Sequence, residues 1–367
     1  MRLNLTPSLA KEQCSSRDAK GVKICITPGT PTNAQPPGPA APHVGPLTTQ
    51  PLPADLCAPT GRATVRVTRT ASCTSLPMSI QITRTTNTGT TVIGTNQIVT
   101  YLYQYSSLDL TTMANQLTIL PTSFTGTGNQ SYVSSAVPAC KGSCKLGSNG
   151  PSITGRKLTP KSEISTESFY TWTGTKARTD QTMNWKITFA HPTATGTPSV
   201  DAAPGINYRC DREAANAKAG CVVKQSSMQI VYAKTGWPNF GRHVSLAQGS
   251  GLPGASKPLT RLDANQSSTA NRNKACPSNL PRPSGKDCDE YPFASTKQGA
   301  ALNGGTGRTF ANCGINDKRY TIGAKGATGF SACMIPSKEN QDAGSQMGVF
   351  FGKYHVLSGD NFYVAIS

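Results

Sequence analysis

Twelve cysteines set the first limit on what this chain can fold into. They are Cys14, Cys25, Cys57, Cys73, Cys140, Cys144, Cys210, Cys221, Cys276, Cys288, Cys313 and Cys333. The number is even and the cysteines fall into neighbours along the chain. Most gaps suit a small loop closed by one bridge, so pairing in sequence order is the simplest expectation. No paired CxxC set with histidine partners suggests zinc. The pattern therefore predicts disulfides and an oxidising, extracellular compartment. The first residues, Met1 to Pro7, lack the apolar stretch of a signal peptide. The cysteines carry more weight, and secretion is the expectation.

With 367 residues the chain is long enough for two or three domains and a sizeable core. Lys and Arg number 36 against 18 Asp and Glu, a net charge of +18. That surplus favours a polyanionic partner: nucleic acid, an anionic membrane or an acidic cell envelope. No stretch approaches the ~20 apolar residues of a membrane-spanning helix.

Residues 1–56 read as an N-terminal segment with a Pro-, Thr- and Gly-rich linker over 27–55, where His43 is expected in solvent. From 57 to 235 the texture becomes short alternating runs. Met78-Ser-Ile-Gln-Ile-Thr83, Val99-Thr-Tyr-Leu-Tyr-Gln-Tyr105, Asn184-Trp-Lys-Ile-Thr-Phe189 and Met228-Gln-Ile-Val-Tyr232 are examples. Apolar-polar alternation at this spacing predicts an antiparallel β-sandwich-like accessory domain. Arg62, Arg66, Arg69 and Arg84 are expected on wet faces, where they protect sheet edges. Trp172 and Trp185 are expected in the core and His191 in a turn. Such a domain offers a surface for contacts with a cell envelope or with another copy of itself.

Beyond residue 236 the pattern changes again. Gly241 to Gln248 predicts a short helix, and Ala270 to Cys276 is a basic segment. Cys288-Asp-Glu-Tyr-Pro-Phe-Ala-Ser-Thr296 places two carboxylates side by side in a chain poor in acids, which calls for a cation. A Gly-rich stretch over 299–329 follows. Ser331 to Pro336 predicts a strand, and Ser337 an N-cap for a helix with Glu339 and Asn340 in its first turn. Tyr354 to Leu357 and Phe362 to Ile366 predict closing strands. Strand, strand, helix is an order that can bring Asp289 or Glu290, as a base, together with Glu339 and Asn340, as hard oxygen ligands for magnesium or manganese. Phosphodiester cleavage needs such a base, such a metal and cations on the backbone. Arg242, Arg261, Arg272 and Lys274 are the candidates for gripping phosphates.

The Asp289-Glu290-Tyr291-Pro292 motif and the later Asn340 to Ser345 helix resemble the NucA/NucB family of secreted bacterial deoxyribonucleases. Arg242-His243-Val244, Leu259-Thr260-Arg261 and Asn271-Arg272 follow that family's order upstream. The resemblance covers about 237–367. It implies a reduced ββα-metal nuclease domain over 236–367, with Asp289 as base and Asn340 as metal ligand, and with Glu290 and Glu339 near them. His243 matches an upstream histidine and is a candidate catalytic residue that binds phosphate or only packs. Two features depart from the family pattern. A Gly-rich insert carrying Cys313 separates the motifs, and Gly348 to Phe351 holds no acid. The fold expectation is α+β: a β-sandwich-like domain followed by a small disulfide-bonded ββα-metal-type domain. The functional expectation is a secreted, metal-dependent endonuclease that cuts DNA with little sequence specificity. The alternatives are an inactive extracellular polyanion-binding or adhesin-like protein and a DNase toxin delivered to competitor cells.

Overall fold

The computed structural model describes residues 12–29, 56–57, 64–150, 152–263 and 265–367. The first eleven residues, linker residues 30–55 with His43, and Arg62 lie outside them. The chain is β-rich with few helices. It divides into two compact units, 1–213 with 218–226 and 214–217 with 227–367.

The first unit holds two sheets. Four strands dominate the larger one, each antiparallel to the next: Ala71–Thr86, Gly89–Ser106, Thr112–Gly126 and Ile164–Trp172. In the smaller sheet the long strand Arg178–Ala190 lies between Tyr132–Gly142 and Tyr208–Asp211. Successive side chains of a strand point to opposite faces, so alternation sorts them. Leu76, Met78, Ile80 and Ile82 are buried while Pro77, Ser79 and Gln81 between them are half-buried. One core joins Ile24, Ile80 and Leu117 of the larger sheet to Val133, Trp185 and Phe189 of the smaller. Trp172 and Trp185 are buried, as expected. His191 braces a turn by bonding Thr127 O and Thr193.

Three expectations change here. Gln13–Cys14 and Val22–Pro28 are strands that extend the larger sheet, so part of the N-terminal segment belongs to the domain core. Isolated apolar residues (Val22, Ile24, Ile26) in a short stretch beside a Pro-rich one hid that alternation. Arg69 is not on a wet face. It is buried, with Nη1 3.4 Å from Ser226 O, where buried carbonyls need a donor. Met228–Tyr232 alternates like the strands before it, yet pairs in parallel with Asn361–Ile366 of the second unit.

The second unit is built around a four-stranded sheet, in the order Lys286–Tyr291, Phe330–Pro336, Gly307–Thr309 and Tyr320–Ile322. The Gly-rich stretch supplies the last two. Lys286–Tyr291 is an edge strand, antiparallel to Phe330–Pro336, with Tyr291 opposite Ser331 and Asp289 opposite Cys333. The chain then enters the helix Ser337–Lys353. Period-two alternation splits the buried strand Phe330–Pro336 between two cores. Cys333 and Ile335 face one with the helix Pro238–Gly249, and Phe330, Ala332 and Met334 face the other, with Ala275 and Cys288. Ser337 is the first helical residue rather than the cap; its hydroxyl donates to Asp287 Oδ1 at 2.9 Å. Tyr354 to Leu357 forms no strand. His355 takes φ 50°, a left-handed conformation that breaks extended pairing.

All six disulfides join neighbours in sequence order: Cys14–Cys25, Cys57–Cys73, Cys140–Cys144, Cys210–Cys221, Cys276–Cys288 and Cys313–Cys333. No described helix is long and apolar enough to cross a membrane.

Candidate active site

A cavity of about 570 Å³ opens beside the edge strand Lys286–Tyr291. Asp287, Asp289 and Glu290 line it from the strand, Arg272 from the helix Ser268–Ala275, and Asn340 from the helix Ser337–Lys353. Antiparallel pairing fixes how the acids divide. Asp289 lies opposite Cys333 and shares its face, toward the helix Pro238–Gly249. Glu290 points to the other face, where Arg272 acts on it. The strand has a neighbour on one side only, so side chains from both of its faces reach the cavity at its free edge.

Asp289 is 4 % exposed. His243 Nδ1 lies 2.6 Å from its Oδ2, and His243 Nε2 lies 2.9 Å from Ser331 Oγ. His243 and Ser331 are fully buried. A buried carboxylate held by a short charge-assisted bond keeps one orientation. His243 therefore stands behind Asp289 and cannot touch a phosphate; its engagement with Asp289 leaves it a supporting place rather than a contact with substrate.

Glu290 is in a different condition. Burial, and then the neighbouring Asp289 carboxylate, push its pKa up to about 8, against the opposing pull of Arg272 and of the Ala294 backbone. Two acids side by side are thus set apart. Asp289 is tied to an imidazole, while Glu290 is a carboxylate that a cation would favour in its charged form.

Several predicted residues lie elsewhere. The Glu339 carboxylate accepts from Phe240 N at 2.7 Å and from Asn239 Nδ2 at 3.0 Å. It caps the N-terminus of the helix Pro238–Gly249, where unpaired N–H groups and the helix dipole favour an anion, and it does not line the cavity. Replacing Glu339 by alanine should therefore cost about 1–2 kcal/mol of stability, measured by chemical denaturation, with divalent-metal binding by the folded protein retained. A metal ligand would behave in the opposite way. Arg261 stacks 4.6 Å over Phe351 and donates to Val356 O, which commits its guanidinium to packing. Arg242 donates to Asn312 O at 3.4 Å, and Lys274 is exposed on its helix; neither lines the cavity. Of the four phosphate candidates, only Arg272 does.

Asp287, Arg282 and Ser331 went unremarked in the sequence. Asp287 accepts from Ser337 and, at 3.4 Å, from Gln341 Nε2, which ties the edge strand to the helix bearing Asn340. Its place two residues before Asp289, on the same strand face, was a readable signal. Arg282 lines the cavity but donates to Cys276 O at 3.0 Å and Leu280 O at 3.2 Å, and so shapes the loop closed by Cys276–Cys288. Nothing local marks Ser331, which matters through a histidine 88 residues away.

The donors fit a hard divalent cation, since Asn340 and Glu290 offer oxygen. Among the described residues the cavity acids do not form a tight three-ligand cluster. Glu12, Cys14 and Cys25 do, but both of these cysteines are in a disulfide. A site with few protein ligands suits magnesium, which keeps much of its water.

Residues 250–365, wholly within the second unit, match the family model described as deoxyribonuclease NucA/NucB. No curated protein and no solved structure matches the chain.

Proposed function

Since residues 250–365 form a NucA/NucB-family deoxyribonuclease domain, we propose that the protein is a secreted, metal-dependent endonuclease that hydrolyses DNA phosphodiester bonds with little sequence specificity. One observation carries this reading: a buried, braced Asp289 faces a cavity that also holds Arg272, Glu290 and Asn340.

Each residue has a distinct part. Asp289 Oδ2 is held by His243, which leaves Oδ1 to accept a proton from the attacking water. Water adds to phosphorus and the bond to the leaving nucleotide oxygen breaks. Arg272, exposed at the rim, grips a phosphate by charge and paired N–H groups. Asn340 and Glu290 hold the cation. When bound, magnesium or manganese supplies positive charge against the phosphate under attack. Contacts made through phosphate carry no sequence information, which supports low specificity. Six disulfides support an oxidising compartment and hence secretion.

Supercoiled plasmid incubated with the protein tests the reading. Nicked and linear products are expected with magnesium or manganese and none with chelator. Salt-sensitive DNA binding with no cleavage under any divalent metal would favour a polyanion-binding protein instead.

A further inference from the structure

We infer that Ser331 is a positioning residue whose hydroxyl decides which nitrogen of His243 carries the proton, and thereby keeps His243 donating to Asp289 and that carboxylate held in one orientation. The inference rests on the reading of Asp289 as the base of the nuclease.

The three side chains form a line running inward from the cavity: Asp289, then His243, then Ser331. They come from three elements, the edge strand, the helix Pro238–Gly249 and the neighbouring strand Phe330–Pro336. The serine sits at the sealed end and the acid at the open end, so the hydroxyl is no nucleophile. With His243 and Ser331 fully buried, solvent cannot repair a wrong proton arrangement.

A neutral imidazole has one donor nitrogen and one acceptor nitrogen, and the bond made by one selects the other. Ser331 Oγ has two acceptors in reach. His243 Nε2 is at 2.9 Å, and Tyr291 O is at 3.4 Å, the limit of a hydrogen bond. Donation to Nε2 is the better bond. It places the ring proton on Nδ1, which donates to Asp289 Oδ2 at 2.6 Å. In the opposite tautomer, Nδ1 and Oδ2 would be two acceptors at that distance. Two facing lone pairs repel, and the carboxylate would lose the bond that holds it. The hydroxyl therefore holds the Asp289 carboxylate in place through His243.

Nitrogen-15 NMR of histidine-labelled protein reads the tautomer directly, with His243→Gln to assign the signal among the four histidines. The expected wild-type result is a protonated Nδ1 and a bare Nε2. Ser331→Ala should lose that pattern and lower kcat by about 10–100-fold with little change in KM. Ser331→Thr, which keeps the hydroxyl, should restore most of the rate. A neutral Nε2–H tautomer in the wild type, or a wild-type kcat in Ser331→Ala, would overturn the inference. If Ser331→Ala does not fold, the wild-type spectrum alone decides. Protein that shows the Nδ1–H tautomer yet cuts no DNA supports the part given to Ser331 and overturns the nuclease reading.

Discussion

Asp289→Asn is expected to lower kcat for DNA cleavage by roughly 10²–10⁴-fold, the range for a removed general base, while the protein stays folded. Asparagine keeps the size of aspartate, and its carbonyl oxygen can still accept from His243 Nδ1, so the buried contact survives. What is lost is the ability to take a proton from water at the oxygen facing the cavity. Single-turnover cleavage of plasmid at saturating metal measures the loss, with a thermal melt as the control for folding. KM should change little, because Arg272 and the rest of the rim are untouched.

The largest effect on stability is expected away from the chemistry. Arg308 is 3 % exposed and donates to Ser250 Oγ at 2.9 Å, to Gly326 O at 3.0 Å and to Thr328 O. One guanidinium thus pins the Gly-rich loop before Phe330 to the end of the helix that carries His243. Burial holds its pKa below the usual arginine value, so its charge is tolerated only because these acceptors surround it. Arg308→Met keeps the apolar stem but removes the donor to buried Ser250 Oγ and to Gly326 O and Thr328 O. A hydrogen bond to a charged group contributes about 1.5–3 kcal/mol, and with the two loop carbonyls open to water a total of about 3 kcal/mol follows. Scanning calorimetry should show the second unit melting roughly 10 °C lower, at 2–4 °C per kcal/mol for a unit of this size. Arg308→Lys should rescue little, since a point charge cannot fork to acceptors on two segments.

Much of this was legible in the sequence for definite reasons. Cysteine spacing predicted every disulfide pair because the loops are short and local. Alternation in Met78 to Thr83 and Asn184 to Phe189 marked strands because each has one buried face. The motif around Asp289 and the helix bearing Asn340 were readable because both are continuous in the chain. Illegible parts depended on long-range packing. The pairing of Met228–Tyr232 with the last strand could not be seen from alternation, which says that a strand exists but not where it binds. Glu339 looked like a ligand because an acid in a first turn suits either a cation or a helix N-terminus. Only tertiary structure brings Phe240 N to it. Arg261 looked like a phosphate grip until Phe351 and Val356 closed on it. Ser331 carried no signal, since a lone serine in a strand acquires meaning only from His243.

The central claim is that the cavity beside Lys286–Tyr291 is a metal-dependent phosphodiesterase centre. Anomalous diffraction from crystals soaked in manganese tests it most directly. The account predicts one strong peak in this cavity, within bonding distance of Asn340 Oδ1, with Glu339 still bonded to Phe240 N. Manganese bound elsewhere, or ligated by Glu339, in a protein that cuts DNA would contradict it.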